Sequence, residues 1–111
     1  PLGYADGYSR ALSNSAEVLV RGKRASVVGR VCMDQCMIDL TGVNGAEIGE
    51  DIVLFGGGVK GAPTAEDVAG WMGSITDEVV STISRRVPRV YIKGGEVVEI
   101  VDYVRDGAEN N

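Results

Sequence analysis

Short runs of β-branched residues joined by glycine-containing turns restrict the first half of this chain to an antiparallel β arrangement. Val18–Val20 and Ala25–Met33 flank the turn Arg21-Gly22, and the second run resumes at Met37–Leu40 after a polar break. Asp51–Phe55 is a further predicted strand. Since these strands follow one another in hairpins instead of alternating with helices, we expect them to pair antiparallel.

The second half of the chain predicts two short helices and a hairpin. Thr64 and Asp67 have the spacing of a helix N-cap with a carboxylate three residues on, and Gly73 is a natural terminator. A second short helix is predicted after Ser74. The strands on either side of Gly94-Gly95 form a predicted two-residue hairpin. The predicted fold is therefore mainly β, a small antiparallel Greek-key-like barrel with one or two short helices.

Length and charge exclude several classes of protein. A chain of 111 residues fits one domain. Its net charge of −5 argues against nucleic acid as a partner, because phosphate binding needs clustered basic side chains. No apolar run is long enough for a membrane span, and no signal peptide is evident, so we expect no membrane partner and a cytoplasmic location. The sequence has no histidine and two cysteines, which argues against a metal site.

The stretch Val28–Leu40 raises the question of whether Cys32-Met33-Asp34-Gln35-Cys36 is a functional site or part of the core. On one strand, two cysteines four residues apart would lie ~13 Å from each other, too far for a disulfide without a sharp turn. Buried free thiols are the interpretation that we favour. The Asp-Gln pair breaks the apolar pattern, which indicates either a bulge or strand end that turns a peptide group toward a site, or a polar edge position or turn.

The segment Gly3–Arg10 (GYADGYSR) is glycine-punctuated and carries two phenols and an arginine. It lacks the residues of a phosphate-binding loop. A surface turn and a ligand-facing loop both remain open for it.

Four segments in order resemble the C-terminal domain of bacterial alanine racemases: GYADGYSR, GRVCMDQCMIDL, EDVAGWMGSI and ISRRVPRVY. The resemblance extends from Leu2 to Tyr103 and implies a β domain over residues 1–105, with a loose polar tail at 106–111. It further implies an N-terminal α/β barrel outside this chain that carries pyridoxal 5′-phosphate on a lysine. The family is a homodimer that interconverts L- and D-alanine, which supplies D-alanine for peptidoglycan.

The resemblance implies that this chain contributes no catalytic base. The barrel lysine serves one face of the substrate, and a tyrosine upstream of GYADG in the partner's domain serves the other. None of the four tyrosines matches that position: Tyr4, Tyr8, Tyr91 and Tyr103. We therefore expect the 111-residue chain to be a fragment that is inactive alone and binds no cofactor.

The resemblance also assigns site residues. Met33 offers its backbone N–H to the substrate carboxylate, and the substrate corridor is lined by Tyr4, Arg10, Arg30, Asp34 and Ile75. Asp77 stands where the family has a tyrosine that bonds the cofactor phosphate, which puts cofactor binding and alanine specificity in doubt. A serine or broad-specificity racemase is the alternative, and a non-catalytic β-barrel interaction module is the alternative of another class.

Overall fold

The computed structural model describes residues 1–56 and 58–104. Its elements in chain order are 3-10 helices Tyr4–Asp6 and Arg10–Leu12, β1 (Glu17–Val20), β2 (Lys23–Val28), β3 (Met37–Ile38), β4 (Ile52–Val53), α1 (Ala65–Met72), α2 (Thr76–Ser81), β5 (Arg89–Lys93) and β6 (Glu96–Val101). The mainly-β class with two short helices is confirmed. The predicted tail at 106–111 lies outside the described residues. In the described part of the chain, no helix is long and apolar enough to cross a membrane.

Four strands form one antiparallel sheet in the order β3-β2-β1-β4. Ile38 and Ile52 lie on opposite edge strands of this sheet, yet both line the same cavity of about 320 Å³. The sheet is therefore curled. The expected barrel is thus present as a half-barrel. The turn between β1 and β2 has positive φ at both Arg21 (50°) and Gly22 (75°), the geometry that fits the twist of a tight hairpin.

Strand β2 is shorter than the sequence predicts, since it ends at Val28 and not at Met33. The backbone turns at Gly29, where φ is 75°. Beyond it the amides bond to side chains: Gly29 N–H donates to Asn14 Oδ1 (2.7 Å) and Val31 N–H to Ser13 Oγ (2.8 Å). Val31 is nevertheless fully buried. Its apolar character therefore reports burial and not strand pairing.

The helix start predicted at Thr64 is confirmed by reciprocal hydrogen bonds. Asp67 N–H donates to Thr64 Oγ1 (3.0 Å), and Thr64 N–H donates to Asp67 Oδ2 (2.9 Å). α1 ends at Gly73 with φ 71°, as predicted. Val68 and Ala69 of α1 pack with Val79 of α2 in the core cluster. The two helices thereby cover one side of the curled sheet.

Strands β5 and β6 form a separate two-stranded sheet. Gly94 and Gly95 both have positive φ, which confirms the predicted two-residue hairpin. The core itself combines the curled sheet with the second 3-10 helix and the two α-helices. Its largest fully buried side chains are Leu12, Val18, Val31, Pro63 and Val68.

Candidate functional site

Residues 29–36 form an irregular turn at the end of β2, with a bend at Met33 and Asp34. Cys32 N–H donates to the carbonyl of Gln35 (2.9 Å), which closes the turn. The polar break in the sequence therefore marks a real change of chain direction. The structure shows a turn here, with Met33 and Asp34 in its bend. That this turn directs a peptide group toward a site stays a prediction.

The peptide groups around Met33 are tied to the GYADG loop (Gly3–Gly7). Tyr4 N–H donates to the Cys32 carbonyl and Ala5 N–H to the Met33 carbonyl, both at 2.9 Å. The Met33 side chain is 56% exposed. Across the residues that the structure describes, the Met33 N–H donates no hydrogen bond. The turn therefore holds several backbone donors without an acceptor among the described residues. Those of Met33 and Asp34 belong to peptide groups whose carbonyls accept from the GYADG loop.

Glycine is required where the loop meets this turn. A Cβ on Gly3 would lie 2.1 Å from the Cys32 carbonyl oxygen and 2.6 Å from the Met33 carbonyl carbon and oxygen. Gly3 is buried, so the backbones touch directly without a side chain between them. The first glycine of GYADG thus fixes the distance between the loop and the Met33 peptide.

The other side of the GYADG loop packs on the residues that follow α2. A Cβ on Gly7 would lie 2.5 Å from the Thr82 carbonyl oxygen, and Gly7 has φ 105°. Ser84 N–H donates to the Asp6 carbonyl (3.0 Å). The Asp6 carboxylate accepts from Gly3 N–H (3.0 Å) and lies 3.5 Å from the Arg86 guanidinium. The GYADG loop therefore packs between the turn at Met33 and the residues that follow α2, and it is not a surface turn.

A cleft of about 320 Å³ opens beside this loop. Of the predicted site residues, Tyr4 and Arg10 line it together. Sequence reasoning missed its other lining residues, which are Gly7, Ser9, Met72, Glu78 and Thr82. Glu78 and Thr82 are four residues apart on α2 and its C-cap, so helical spacing could have paired them. No sequence signal placed Met72 beside the loop.

The remaining predicted residues lie outside the lining of that cleft. Arg30 and Asp34 flank Met33 in the turn and are exposed. Ile75 is the N-cap residue of α2 and is 65% exposed, and Asp77 lies exposed in the first turn of the same helix. The structure thus groups these remaining residues in two places, in the turn of residues 29–36 (hereafter the Met33 turn) and at the start of α2.

Both cysteines are free thiols, as expected, but only one is shielded. Cys36 is half-buried, and this burial raises the pKa of its thiol. Cys32 is exposed, so the prediction that it is buried is wrong. Both cysteines lie outside the strands, but Cys36 packs against the core cluster and Cys32 does not. Among the described residues, no cluster of three or more metal-ligating side chains occurs.

The residues at the start of α2 do not fit a phosphate group. Asp77 and Glu78 put two carboxylates in the first helical turn, and a carboxylate beside a phosphate dianion is repelled by ~1 kcal/mol or more. The chemistry of Asp77 thus does not favour a phosphate contact, and the cofactor-binding role of this position stays a prediction. Its charge instead suits the positive end of the α2 dipole.

Comparison with known proteins agrees with this architecture of a curled sheet, two short helices and a packed glycine loop. The family model "Alanine racemase, C-terminal domain" matches residues 1–91. The chain belongs to this family.

Individual relatives match along nearly the whole chain. Alanine racemase 1 of Clostridium acetobutylicum is 52% identical over 104 residues, which are 94% of this chain and 27% of the relative. The structure of the Bacillus anthracis alanine racemase with bound L-Ala-P has a TM-score of 0.82 and 44% identity, and covers 95% of this chain and 26% of that one. The Bartonella henselae alanine racemase with covalently bound pyridoxal phosphate has a TM-score of 0.72 and 29% identity, over 82% of this chain and 26% of that one. The chain thus spans about a quarter of the length of these proteins.

Proposed function

We propose that this chain is the C-terminal part of an alanine racemase and forms one wall of its substrate site. The observation that supports this role best is the Met33 amide. Its carbonyl side is fixed by the GYADG loop, while its N–H faces no acceptor within the described residues. A substrate carboxylate is the acceptor that such a donor suits, and a hydrogen bond to a charged group contributes about 1.5–3 kcal/mol.

The neighbouring residues fit a corridor for a small zwitterion. Tyr4 is hydrogen-bonded through its backbone to the Met33 turn and also lines the adjacent cleft, so the two features are continuous. Arg10 adds a cation that attracts a carboxylate. In the proposal Arg30, Asp34 and Ile75 lie farther out along the same path. This arrangement binds and orients an amino acid but contains no assigned acid or base.

The reacting groups and the cofactor belong to the rest of the enzyme. Pyridoxal 5′-phosphate, when bound, supplies the electron sink that makes a Cα proton removable. The proposed enzyme is a cytoplasmic homodimer in which each C-terminal domain completes the partner's site, and its D-alanine product serves peptidoglycan. The division into a β domain at 1–105 and a separate cofactor-carrying barrel is part of this proposal.

A serine or broad-specificity racemase is the second candidate. It is favoured by one observation, the exposed carboxylate of Asp77 at the position where the family pattern has a tyrosine. A smaller side chain there leaves a wider corridor. The two candidates share the role of Met33 and differ only in the preferred substrate.

The test compares two polypeptides, the 111-residue chain and the longer enzyme that includes the cofactor-carrying barrel. Racemisation of L-amino acids is followed through Cα proton exchange in D2O. The longer enzyme should turn over alanine faster than serine or leucine, and the 111-residue chain should show no turnover. Activity of the isolated chain would contradict the assignment of both bases to other segments. An inactive but cofactor-loaded longer enzyme would contradict the racemase assignment.

A further inference from the structure

The segment Arg85–Arg89 contains three arginines that the substrate site does not use. Each one is engaged within the domain. The Arg85 guanidinium stacks 5.0 Å from the centre of the Tyr103 ring, and Arg86 pairs with Asp6. Arg85 and Arg86 remain exposed despite these contacts, whereas Arg89 is half-buried.

Arg89 makes the most extensive of these contacts. Its Nη2 donates to the Ile83 carbonyl (2.9 Å), and its Nη1 donates to the carbonyls of Ser84 and Val87. All three acceptors belong to the turn Ile83–Val87 that follows α2, hereafter the 83–87 turn. A planar guanidinium can satisfy several carbonyls at fixed angles, which a lysine ammonium on a flexible stem cannot. One side chain thus ties both ends of the turn together, in addition to the turn's own bond from Val87 N–H to the Ser84 carbonyl (3.1 Å).

The 83–87 turn in turn supports the GYADG loop. Ser84 N–H donates to the Asp6 carbonyl (3.0 Å). Gly7 packs without a side chain against the backbone of Thr82 and Ile83. The loop is consequently held between the 83–87 turn on one side and the Met33 turn on the other.

We infer that Arg89 is the positioning residue for the Met33 amide. The contacts run from the Arg89 guanidinium to the 83–87 turn, from there to Asp6 and Gly7, and from the loop to the peptides of Cys32 and Met33. Arg89 touches neither the cleft nor the Met33 turn, so its effect on the site passes through the loop. The consequence for substrate binding rests on the function proposed above for Met33.

Amide hydrogen exchange in the 111-residue chain tests the structural part. In Arg89→Gln the amides of Tyr4 and Ala5, which bond to the Met33 turn, should exchange at least about tenfold faster. The amide of Val27, which donates to the Ala16 carbonyl (2.8 Å) in the curled sheet, should keep its rate. If Arg89→Gln fails to fold, Arg89→Lys replaces it and should show the same selective effect at smaller size.

Arg24→Gln is the matched control. Arg24 donates to the Gly61 carbonyl (2.7 Å) and pairs with Glu17. The Arg24→Gln variant therefore loses a comparable set of contacts away from the GYADG loop. It should leave Tyr4 and Ala5 unchanged. Equal acceleration of all three amides in the Arg89 variants, or none at Tyr4 and Ala5, would overturn the positioning role.

Steady-state kinetics of the longer racemase separates this inference from the proposed function. Arg89→Gln should raise KM for alanine about tenfold and change kcat less, because the carboxylate contact is made throughout the reaction. Selective exchange together with an unchanged KM would uphold the positioning role and overturn the substrate role of Met33. A raised KM without selective exchange would overturn the positioning role alone.

Discussion

Tyr8 places a phenol hydroxyl inside the core without a hydrogen-bond partner among the described residues. Its side chain is only 4% exposed. This burial, together with the nearby Cys36 thiol, raises the pKa of Tyr8 from 10.0 to about 12. An orphaned buried hydroxyl contributes little to stability, because its desolvation is not offset by a hydrogen bond. In the isolated chain, the Tyr8 side chain therefore stabilises the core through the apolar surface of its ring.

Tyr8→Phe should be neutral or slightly stabilising at pH 7 and should change the alkaline stability of the 111-residue chain. Because the folded pKa lies above the unfolded pKa of 10.0, the wild-type chain loses free energy of unfolding between pH 10 and about 12. The full shift is worth about 3 kcal/mol. Urea unfolding of the wild-type chain and of Tyr8→Phe across this pH range measures the difference between their free energies of unfolding. Groups that titrate alike in both proteins cancel in that difference. Parallel stability curves would contradict the shifted pKa.

At the scale of elements, the GYADG loop packs closely on its neighbours because Gly3 and Gly7 have no side chains. Gly3 and Gly7 both let backbone meet backbone, on the Met33 turn and on the residues after α2. The remaining loop contacts are hydrogen bonds of the main chain and of Asp6. Close packing of this kind tolerates no added methyl group, since neither neighbour is a flexible side chain.

Gly3→Ala should therefore destabilise the 111-residue chain by at least about 2 kcal/mol, because its Cβ overlaps the Cys32 carbonyl. Gly70→Ala is the control, since a Cβ at Gly70 meets nothing within 4 Å inside α1. It should stabilise the chain by about 0.5–1 kcal/mol through helix propensity. Urea unfolding of the two variants measures both effects. Equal effects of the two substitutions would show that the loop can move away from the Met33 turn.

Local chemistry made the turns and caps predictable from the sequence. Thr64 and Gly73 bound α1, and Gly94-Gly95 forms the hairpin, because each depends on residues within one turn of chain. The end of β2 was not predictable in this way. Val31 is apolar because it is buried, yet its amide bonds to Ser13, eighteen residues earlier. A pattern of hydrophobicity cannot distinguish those two situations.

The candidate site likewise contains residues that the sequence predicts and residues that only tertiary contacts bring in. The resemblance pointed to Met33 and Tyr4. The structure joins their segments by two hydrogen bonds, from Tyr4 N–H to the Cys32 carbonyl and from Ala5 N–H to the Met33 carbonyl. The contribution of Arg89 could not be read from sequence, because its acceptors are main-chain carbonyls that exist only once the 83–87 turn has formed. Likewise, Met72 and Glu78 join Tyr4 in one cleft only through tertiary packing.

At the scale of the whole molecule, the candidate site combines a backbone donor with charged side chains. Of the arginines near it, Arg86 and Arg89 are engaged internally, Arg10 lines the cleft, and Arg30 is exposed in the turn that contains Met33. The start of α2 adds a negative charge, because the carboxylate of Asp77 is exposed to solvent. A negative charge in the first helical turn stabilises such a short helix. In the proposed racemase, this local benefit for α2 would conflict with the binding of an anionic cofactor group beside Asp77.

Asp77→Tyr in the longer racemase tests how this conflict is resolved. Removing the carboxylate and adding a phenol hydroxyl should tighten pyridoxal phosphate binding about fivefold, the equivalent of ~1 kcal/mol of relieved repulsion. The larger ring should also narrow the corridor and raise the preference for alanine over serine. In the 111-residue chain the same substitution should cost about 0.3–1 kcal/mol of stability, because α2 loses a favourable charge at its N-terminus.

Cofactor titration followed by absorbance and kcat/KM for alanine and serine measure the two functional effects. Glu66→Gln is the control, since it removes an exposed carboxylate from the first turn of α1 and changes the net charge by the same amount. If Asp77→Tyr leaves both cofactor affinity and substrate preference unchanged, the Asp77 position does not face the cofactor. If Glu66→Gln reproduces the gain in affinity, the effect comes from overall charge and not from the start of α2. A gain confined to Asp77→Tyr would show that the side chain at this position sets both cofactor affinity and the width of the corridor.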